Sequence, residues 1–152
     1  MYDLEQIIFE LESLPPYDTQ ICLQGLTPDA DPFSGTGKVN NLSGAEEKFV
    51  HKLFNIPYIN SIIDELGMFR TRVMRMRPKT CYTYHMDYTP RIHIPVITNP
   101  KCFMIEQTQV KWYPADGNYY KIDTTKYHTA VNASFEDRIH IVGCYNEQKH
   151  QN

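Results

Sequence analysis

Short strand patterns separated by turns fill the chain from residue 81 onward. They are rich in β-branched and aromatic residues and recur at intervals of roughly 8 to 12 residues. Thr89-Pro90, Asn99-Pro100 and Asp116-Gly117 mark turns between them. A succession of about seven or eight short strands predicts an all-β sandwich or barrel. The segments are residues 81–88, 91–98, 99–107, 108–114, 115–123, 126–132 and 138–146.

The first part of the chain reads as helices and loops. Apolar residues at helical spacing predict a short helix over residues 3–13, which ends before Pro15 and Pro16. Residues 19–26 have the pattern of a strand, and residues 27–41 are dense in Pro, Gly, Asp and Asn, which indicates a loop.

A second helical region is predicted between residues 45 and 66. Ser43 and Glu46 have the spacing of a capping box. The apolar pattern that follows predicts two helices, broken near Pro57 and ended by Gly67. His51 falls inside the first of these helices, where we expect a partly exposed residue and not a metal ligand.

A His-x-Asp motif stands in the first strand segment. His85 and Asp87 are two residues apart, so on a strand their side chains project to the same side. An isolated His-x-Asp is most often an ordinary surface pair. With His128 as a third ligand, however, the set becomes two histidines and one carboxylate, which suits non-haem Fe(II) oxygenases.

An arginine follows His128 at a distance of ten residues. Arg138, His140 and Val142 alternate with Ile139 and Ile141, so Arg138 can point into the same cavity as the candidate ligands. Its planar guanidinium is suited to hold a carboxylate with two parallel hydrogen bonds.

Two segments together resemble a known family. They are RPKTCYTYHMDYTPRIHIPV at residues 77–96 and YHTAVNASFEDRIHIVG at residues 127–143. Their order of His-x-Asp, Arg-x-His, His-x-x-x-Asn and a final Arg resembles the Fe(II)/2-oxoglutarate dioxygenases, in the aspartyl/asparaginyl β-hydroxylase-like branch that includes small bacterial proline hydroxylases. The resemblance covers about residues 70–145. It implies a mainly β fold, a double-stranded β-helix (jelly-roll, cupin-like) barrel with the N-terminal helices packed outside.

The resemblance also implies the domain organisation and the chemistry. We expect a single domain over residues 1–152, with a helical and loop part at 1–67 and a barrel core at 68–146. The implied reaction is hydroxylation of an unactivated C–H of an amino acid, free or in a peptide, of the aspartyl/asparaginyl or prolyl type. Fe(II), 2-oxoglutarate and O2 are the implied cofactor and co-substrates, and succinate and CO2 the by-products.

The resemblance assigns roles to particular residues. His85, Asp87 and His128 are the implied iron ligands, and Arg138 the partner of the distal carboxylate of 2-oxoglutarate. His93 is assigned to the co-substrate, and Arg91 either to the co-substrate or to a substrate carboxylate. Met74 stands where relatives have a Ser that contacts the co-substrate, and Thr83 or a neighbouring Tyr is the candidate replacement. The presence of Asp87 favours hydroxylation over halogenation.

Three other functions compete with this interpretation. A non-catalytic cupin-like module that binds a small anion would lack the full ligand set. A metal hydrolase or isomerase on the same barrel would not need Arg138. A nucleic-acid binder would use the basic cluster from Arg70 to Lys79, but such a cluster is more often a solvated face or a set of salt-bridge partners, and one of its arginines reaching the pocket is the remaining alternative.

Composition and charge exclude some classes of binding partner and indicate a cellular location. A formal net charge of -3 and a pI near 6.0 argue against a dedicated nucleic-acid binder. Four scattered cysteines and the lack of an N-terminal signal pattern indicate a cytoplasmic protein with reduced thiols, of a bacterial or a virus-infected cell. No apolar run approaches the roughly 18 to 20 residues that span a bilayer. The expected partner is an amino acid or a peptide side chain, with the oligomeric state open.

Overall fold

Two antiparallel sheets form the body of the protein. The computed structural model describes residues 1–37, 39 and 45–147. Its helices are α1 (Leu4–Leu11) and α2 (Pro57–Leu66), with one 3-10 turn at Glu46–Lys48. The strands are β1 (Gln20–Cys22), β2 (Gln24–Gly25), β3 (His51–Lys52), β4 (Phe69–Met76), β5 (Thr80–Cys81), β6 (Arg91–Ile97), β7 (Cys102–Glu106), β8 (Gln109–Lys111), β9 (Tyr120–Ile122), β10 (His128–Asn132) and β11 (Arg138–Cys144).

The larger sheet has five strands in the order β1-β4-β11-β6-β9, and the second has four in the order β5-β10-β7-β8. A cavity lies between these two sheets, because Met74 and Val142 line it from one side and Met104 and Ala130 from the other. The predicted mainly β, jelly-roll fold is confirmed. Strand β1 comes from the N-terminal part of the chain and completes the larger sheet, so the sheet begins before residue 68.

The five-stranded sheet turns its apolar side chains toward the helices. Ile92, Ile94 and Ile141 pack in one hydrophobic cluster with Ile7 of α1 and Ile62 of α2. The alternation of side chains along a strand places the intervening residues on the opposite face, toward the cavity. The predicted alternation in β11 is thus observed, and the helices lie outside the barrel.

Both helices have defined ends. The Asp3 carboxylate accepts hydrogen bonds from the backbone N–H groups of Glu5 and Gln6, which caps α1. The predicted helix over residues 3–13 is therefore confirmed. The buried carboxylate of Glu10 accepts from the N–H groups of Tyr58 and Ile59, so α1 also caps the first turn of α2.

The first of the two helices predicted after residue 45 is wrong. The region contains only the 3-10 turn and β3, which pairs with β2. The backbone carbonyl of Phe49 accepts from the Arg70 N–H, so contacts distant in sequence hold this segment outside a helix. His51 consequently lies on an exposed strand. The second helix is confirmed, and it ends at Gly67, whose φ of 63° is in the left-handed region that favours glycine; Ser43, the predicted cap, lies outside the described residues.

The segment after β5 is less regular than predicted. The sequence predicts a strand over residues 81–88, but regular pairing ends at Cys81. Beyond it, the Tyr82 N–H donates to the Ala130 carbonyl, and His85 forms an isolated antiparallel bridge with His128. The segment therefore reaches the cavity mouth as an extended loop. Among the residues described, no helix has the length and apolar character needed to cross a bilayer.

Candidate functional site

The three candidate metal ligands lie together at one wall of the cavity. His85 and His128 exchange backbone hydrogen bonds of 3.0 and 2.9 Å, and the Asp87 N–H donates to the Thr124 carbonyl at 2.8 Å. Their side-chain ligand atoms all lie within 4.8 Å of one another. The Nε2 atoms of His85 and His128 are 3.5 and 3.4 Å from the two oxygens of the Asp87 carboxylate.

Backbone carbonyls fix the orientation of both imidazoles. Nδ1 of His85 is 2.6 Å from the Thr83 carbonyl, and Nδ1 of His128 is 2.8 Å from the Lys126 carbonyl. A carbonyl only accepts, so each Nδ1 carries the hydrogen and, in the neutral ring, each Nε2 presents a lone pair to Asp87. Two lone pairs facing one carboxylate repel unless a cation lies between them. The donor set therefore fits a divalent metal, with the backbone contacts that metal-binding histidines normally have.

The charge state of Asp87 suits a metal ligand. Burial raises the pKa of this carboxyl, but the adjacent His128 and the charge of Arg91 lower it more, to about 2. Burial lowers the pKa of His128, whereas the contact with Asp87 raises it, and the pKa is raised on balance. Asp87 is thus ionised at neutral pH and attracts positive charge, either a proton on His128 or a metal cation.

The cavity has a volume of about 430 Å³ and is rich in guanidinium groups. Among the described residues, four arginines line it but only two carboxylates, Glu46 and Asp87. Glu46 is buried, and its Oε2 is 2.6 Å from Arg70 and 2.9 Å from Arg91. Burial raises the pKa of Glu46, but the charges of these two arginines lower it below its ordinary value. The remaining two cavity arginines are Arg72 and Arg138.

Arg138 occupies the cavity as the sequence predicted. It is 2% exposed, its Nε has no hydrogen-bond partner, and no carboxylate of the described residues pairs with it. Burial lowers the pKa of this arginine. A buried charge without a counter-ion is unfavourable. An anion in the cavity would supply the missing partner.

Two buried histidines lie on neighbouring strands of the larger sheet, His93 on β6 and His140 on β11. Nδ1 of His93 is 2.9 Å from Nδ1 of His140, and burial lowers the pKa of both rings well below the ordinary value. Both are therefore neutral, with one Nδ1 donating and the other accepting. His93 lines the cavity, while Nε2 of His140 has no hydrogen-bond partner.

Arg91 connects Glu46 to the candidate metal ligands. Besides its contacts with Glu46, its Nε is 3.6 Å from Oδ2 of Asp87. The guanidinium is therefore held by residues of this chain and orients Asp87. Its assignment to a co-substrate or substrate carboxylate stays a prediction. Met74 and Thr83 both line the cavity, so Thr83 is available as the replacement proposed for the family serine.

The sequence interpretation missed two features of the site. Glu46 was assigned to a capping box, and Arg70 and Arg72 to a basic cluster whose most frequent role is a solvated face. The solvated-face interpretation is wrong for both arginines, which are buried, whereas the salt-bridge interpretation is confirmed for Arg70, which pairs with Glu46. Both arginines line the cavity, as the alternative of an arginine that reaches the pocket predicts, and a contact with an acidic substrate stays a prediction. The available signal was the Arg-x-Arg spacing within an apolar strand, which places both side chains on one face.

Comparison with solved structures finds proteins of low sequence identity, several of which are described as cupins. The plu4264 protein of Photorhabdus luminescens is 14% identical over 54% of this chain and 66% of its own, with a TM-score of 0.42. A cupin domain of Bordetella pertussis is 14% identical over 51% of this chain and 80% of its own, with a TM-score of 0.44. A cupin 2 conserved barrel protein of Salinispora arenicola is 13% identical over 51% and 63%, with a TM-score of 0.42. The match thus spans less than two thirds of the Photorhabdus and Salinispora chains.

Comparison with family models gives a longer match. No curated protein sequence matches the chain significantly. The model of the aspartyl/asparaginyl beta-hydroxylases, in contrast, matches residues 32–144. This range is most of the chain and contains the candidate ligands, Glu46 and Arg138. The chain therefore belongs to the aspartyl/asparaginyl beta-hydroxylase family.

Proposed function

We propose that the protein is an Fe(II)- and 2-oxoglutarate-dependent dioxygenase that hydroxylates an unactivated C–H bond of an amino acid, free or within a peptide. One observation carries the proposal: a cluster of two imidazoles and a carboxylate shares a cavity with the buried guanidinium of Arg138, which no carboxylate of the described residues contacts. A metal ion would explain the cluster, and a carboxylate co-substrate would explain the guanidinium. Family membership supports hydroxylation as the reaction class.

The residues of the chain would act by binding and orientation. His85, Asp87 and His128 would hold Fe(II), and the carbonyls of Thr83 and Lys126 keep the Nε2 atoms of both histidines directed toward it. Arg138 would receive the distal carboxylate of 2-oxoglutarate. When bound, iron, 2-oxoglutarate and O2 supply the oxidising power, so that the substrate gains one oxygen atom and the other leaves in succinate, with release of CO2.

Further residues would shape the site around these groups. Arg91, which is held by Glu46, would keep Asp87 ionised and in position. His93, neutral and buried, would offer a hydrogen bond to the co-substrate without adding charge. Met74, Met104 and Ala130 give part of the cavity wall an apolar surface, which would exclude water there.

Anaerobic titration of Fe(II) and then 2-oxoglutarate into the purified protein tests the proposal. We expect a weak visible metal-to-ligand charge-transfer band that requires both additions. The band should be absent in His85→Ala, which removes a metal ligand, and in Arg138→Met, which removes the carboxylate partner. His51→Ala is the matched control, because His51 is exposed on β3.

Each negative result has its own meaning. Iron binding without the band would refute the co-substrate assignment and favour a cupin-like module that binds another anion. Failure of the native chain to bind any divalent metal would refute the enzyme assignment. If the band forms, succinate release with candidate amino acids and peptides identifies the substrate.

A further inference from the structure

Arg72 is a second buried guanidinium that no carboxylate of the described residues contacts. It lies on β4, is 5% exposed and lines the cavity. One nitrogen, Nη1, donates to the Gln20 side-chain carbonyl at 3.0 Å, and Nε has no partner. Gln20 is neutral and its oxygen also accepts from the Gly37 N–H at 2.9 Å. The positive charge of Arg72 is therefore uncompensated by the described residues.

No carboxylate elsewhere in the chain is available for it. The residues outside the described ranges include no Asp or Glu. Of the two carboxylates in the cavity, Glu46 is bound by Arg70 and Arg91, and Asp87 faces the candidate metal. A buried charge without a partner is unfavourable, so an unpaired guanidinium in a cavity indicates that the cavity binds an anion from outside the chain.

Arg72 and Arg138 lie at opposite ends of the cavity face of the sheet. In the register between β4 and β11, Arg72 is opposite Val142, whereas Arg138 is opposite Met76. Four residues of β4 separate these two rows, which is about 13 Å along a strand. Burial and the charges of Arg70 and Arg91 lower the pKa of Arg72, to about 10, whereas burial is what lowers the pKa of Arg138. The two guanidinium groups thus belong to separate ends of one cavity.

We infer that Arg72 binds the carboxylate of the substrate, while Arg138 receives that of the co-substrate. The substrate class is then an amino acid that presents a free carboxylate to the interior of the cavity. That carboxylate is either the α-carboxylate of a free amino acid or the side chain of an acidic residue in a peptide. The inference names the substrate class for the proposed function and rests on it.

Isothermal titration calorimetry on the protein loaded with Mn(II) and 2-oxoglutarate tests the inference. The probes are L-proline, L-aspartate and L-asparagine, their α-carboxamides, and a peptide with blocked termini that carries a single Asp. We expect at least one probe with a free carboxylate to bind the native chain. Arg72→Met should weaken that binding at least 100-fold and leave the affinity for 2-oxoglutarate within about threefold.

The probes separate the two sources of the carboxylate. If the free amino acid binds and its α-carboxamide does not, the α-carboxylate is recognised. If the blocked peptide binds and its Asp→Asn analogue does not, a side-chain carboxylate is recognised. Arg138→Met is the reciprocal variant and should lose 2-oxoglutarate first.

Three results would overturn the inference. They are unchanged probe binding in Arg72→Met, loss of 2-oxoglutarate binding in that variant, and no binding of any carboxylate probe to the native chain. If 2-oxoglutarate itself fails to bind the native protein, the proposed function fails. The same titration with Mn(II) alone still decides whether Arg72 binds a carboxylate.

Stability of the ligand-free protein separates a binding role from a structural one. Because the charge of Arg72 is uncompensated, Arg72→Met should raise the thermal unfolding midpoint or leave it unchanged. Arg70→Met is the matched control on the same strand, and it should lower the midpoint because Arg70 is paired with Glu46. A clear loss of stability in Arg72→Met would indicate a structural arginine and contradict the inference.

Discussion

The two faces of the five-stranded sheet carry opposite kinds of side chain, although they alternate along the same strands. The face toward the helices bears Ile92, Ile94 and Ile141, which are almost completely buried. The face toward the cavity bears arginines and histidines that are buried to a similar extent. Burial of an apolar side chain contributes roughly 1.5 to 3 kcal/mol. Burial of a charge is unfavourable unless a partner is present.

The difference separates stability from binding within one sheet. On the helix face, the side chains pack fully against other residues of the chain and need no ligand. The cavity face is complete at one position, where Glu46 joins Arg70 and Arg91, and incomplete at Arg72 and Arg138. We therefore expect the helix face and Glu46 to determine the stability of the free protein, and ligands to stabilise the remainder.

Removal of the Glu46 charge should have the largest effect. Glu46→Gln leaves the buried Arg70 without a carboxylate and Arg91 with Asp87 alone. Breaking a buried ion pair costs about 3 to 5 kcal/mol. Urea denaturation at pH 7 measures the loss. Glu47→Gln is the control, since Glu47 is exposed. Equal stability of the two variants would show that the cavity face is balanced without Glu46.

The effect of Glu46 should also depend on pH. Its pKa is lowered in the fold, so its contribution to the free energy of unfolding is complete above its ordinary pKa of 4.5. The contribution then disappears as the pH falls through the lowered value. The difference between the native protein and Glu46→Gln should be constant near neutrality and shrink in acid. A difference that grows in acid would contradict the assigned direction.

Substitutions at two adjacent residues of β11 compare the faces directly. Ile141→Ala opens a void in the helix-side cluster and should cost about 2 to 5 kcal/mol. Val142→Ala only enlarges an existing cavity, so its cost should be at the low end, about 1 kcal/mol. Chemical denaturation of both variants measures the two costs. Equal losses would mean that the cavity face contributes to the hydrophobic core as much as the helix face does.

The stabilisation of the protein by ligands should depend on the cavity face and not on the helix face. With Mn(II) present, 2-oxoglutarate at 100 times its dissociation constant should raise the free energy of unfolding by about 2.7 kcal/mol. Ile141→Val, which changes the helix face, should gain the same increment. His128→Ala should gain much less, because the metal loses a ligand. An equal gain in His128→Ala would place the binding outside the proposed site.

Local patterns in the sequence predicted most of the fold. The period of two in residues 138–142 gave the two faces of β11, and the positions of Pro57 and Gly67 gave both ends of α2. The helix expected after residue 45 failed for a tertiary reason. Leu53 donates its N–H to the Leu23 carbonyl, and Phe49 accepts from Arg70, so distant partners hold this segment in another conformation.

The candidate ligands were predictable as a set, whereas their surroundings were not. His85 and His128 are adjacent through a bridge between segments 43 residues apart in sequence, and the family resemblance supplied that pairing in advance. Glu46 had no such signal. Its role depends on meeting Arg70 and Arg91 in space, and neither local spacing nor composition records that contact.

The smallest effect is expected at Arg77, in the exposed part of the basic cluster. It tests the difference between the two faces once more. Arg77 extends the run that begins with Arg70, but it is exposed and pairs with Asp18 and Asp137 on the surface. Arg77→Met should leave the denaturation midpoint and the binding of 2-oxoglutarate unchanged, because water and salt already screen these contacts. Arg70→Met in parallel should lower the midpoint. If both variants behave alike, burial and the pairing with Glu46 do not distinguish Arg70 from Arg77, and the contribution to stability that we assign to the cavity face is wrong.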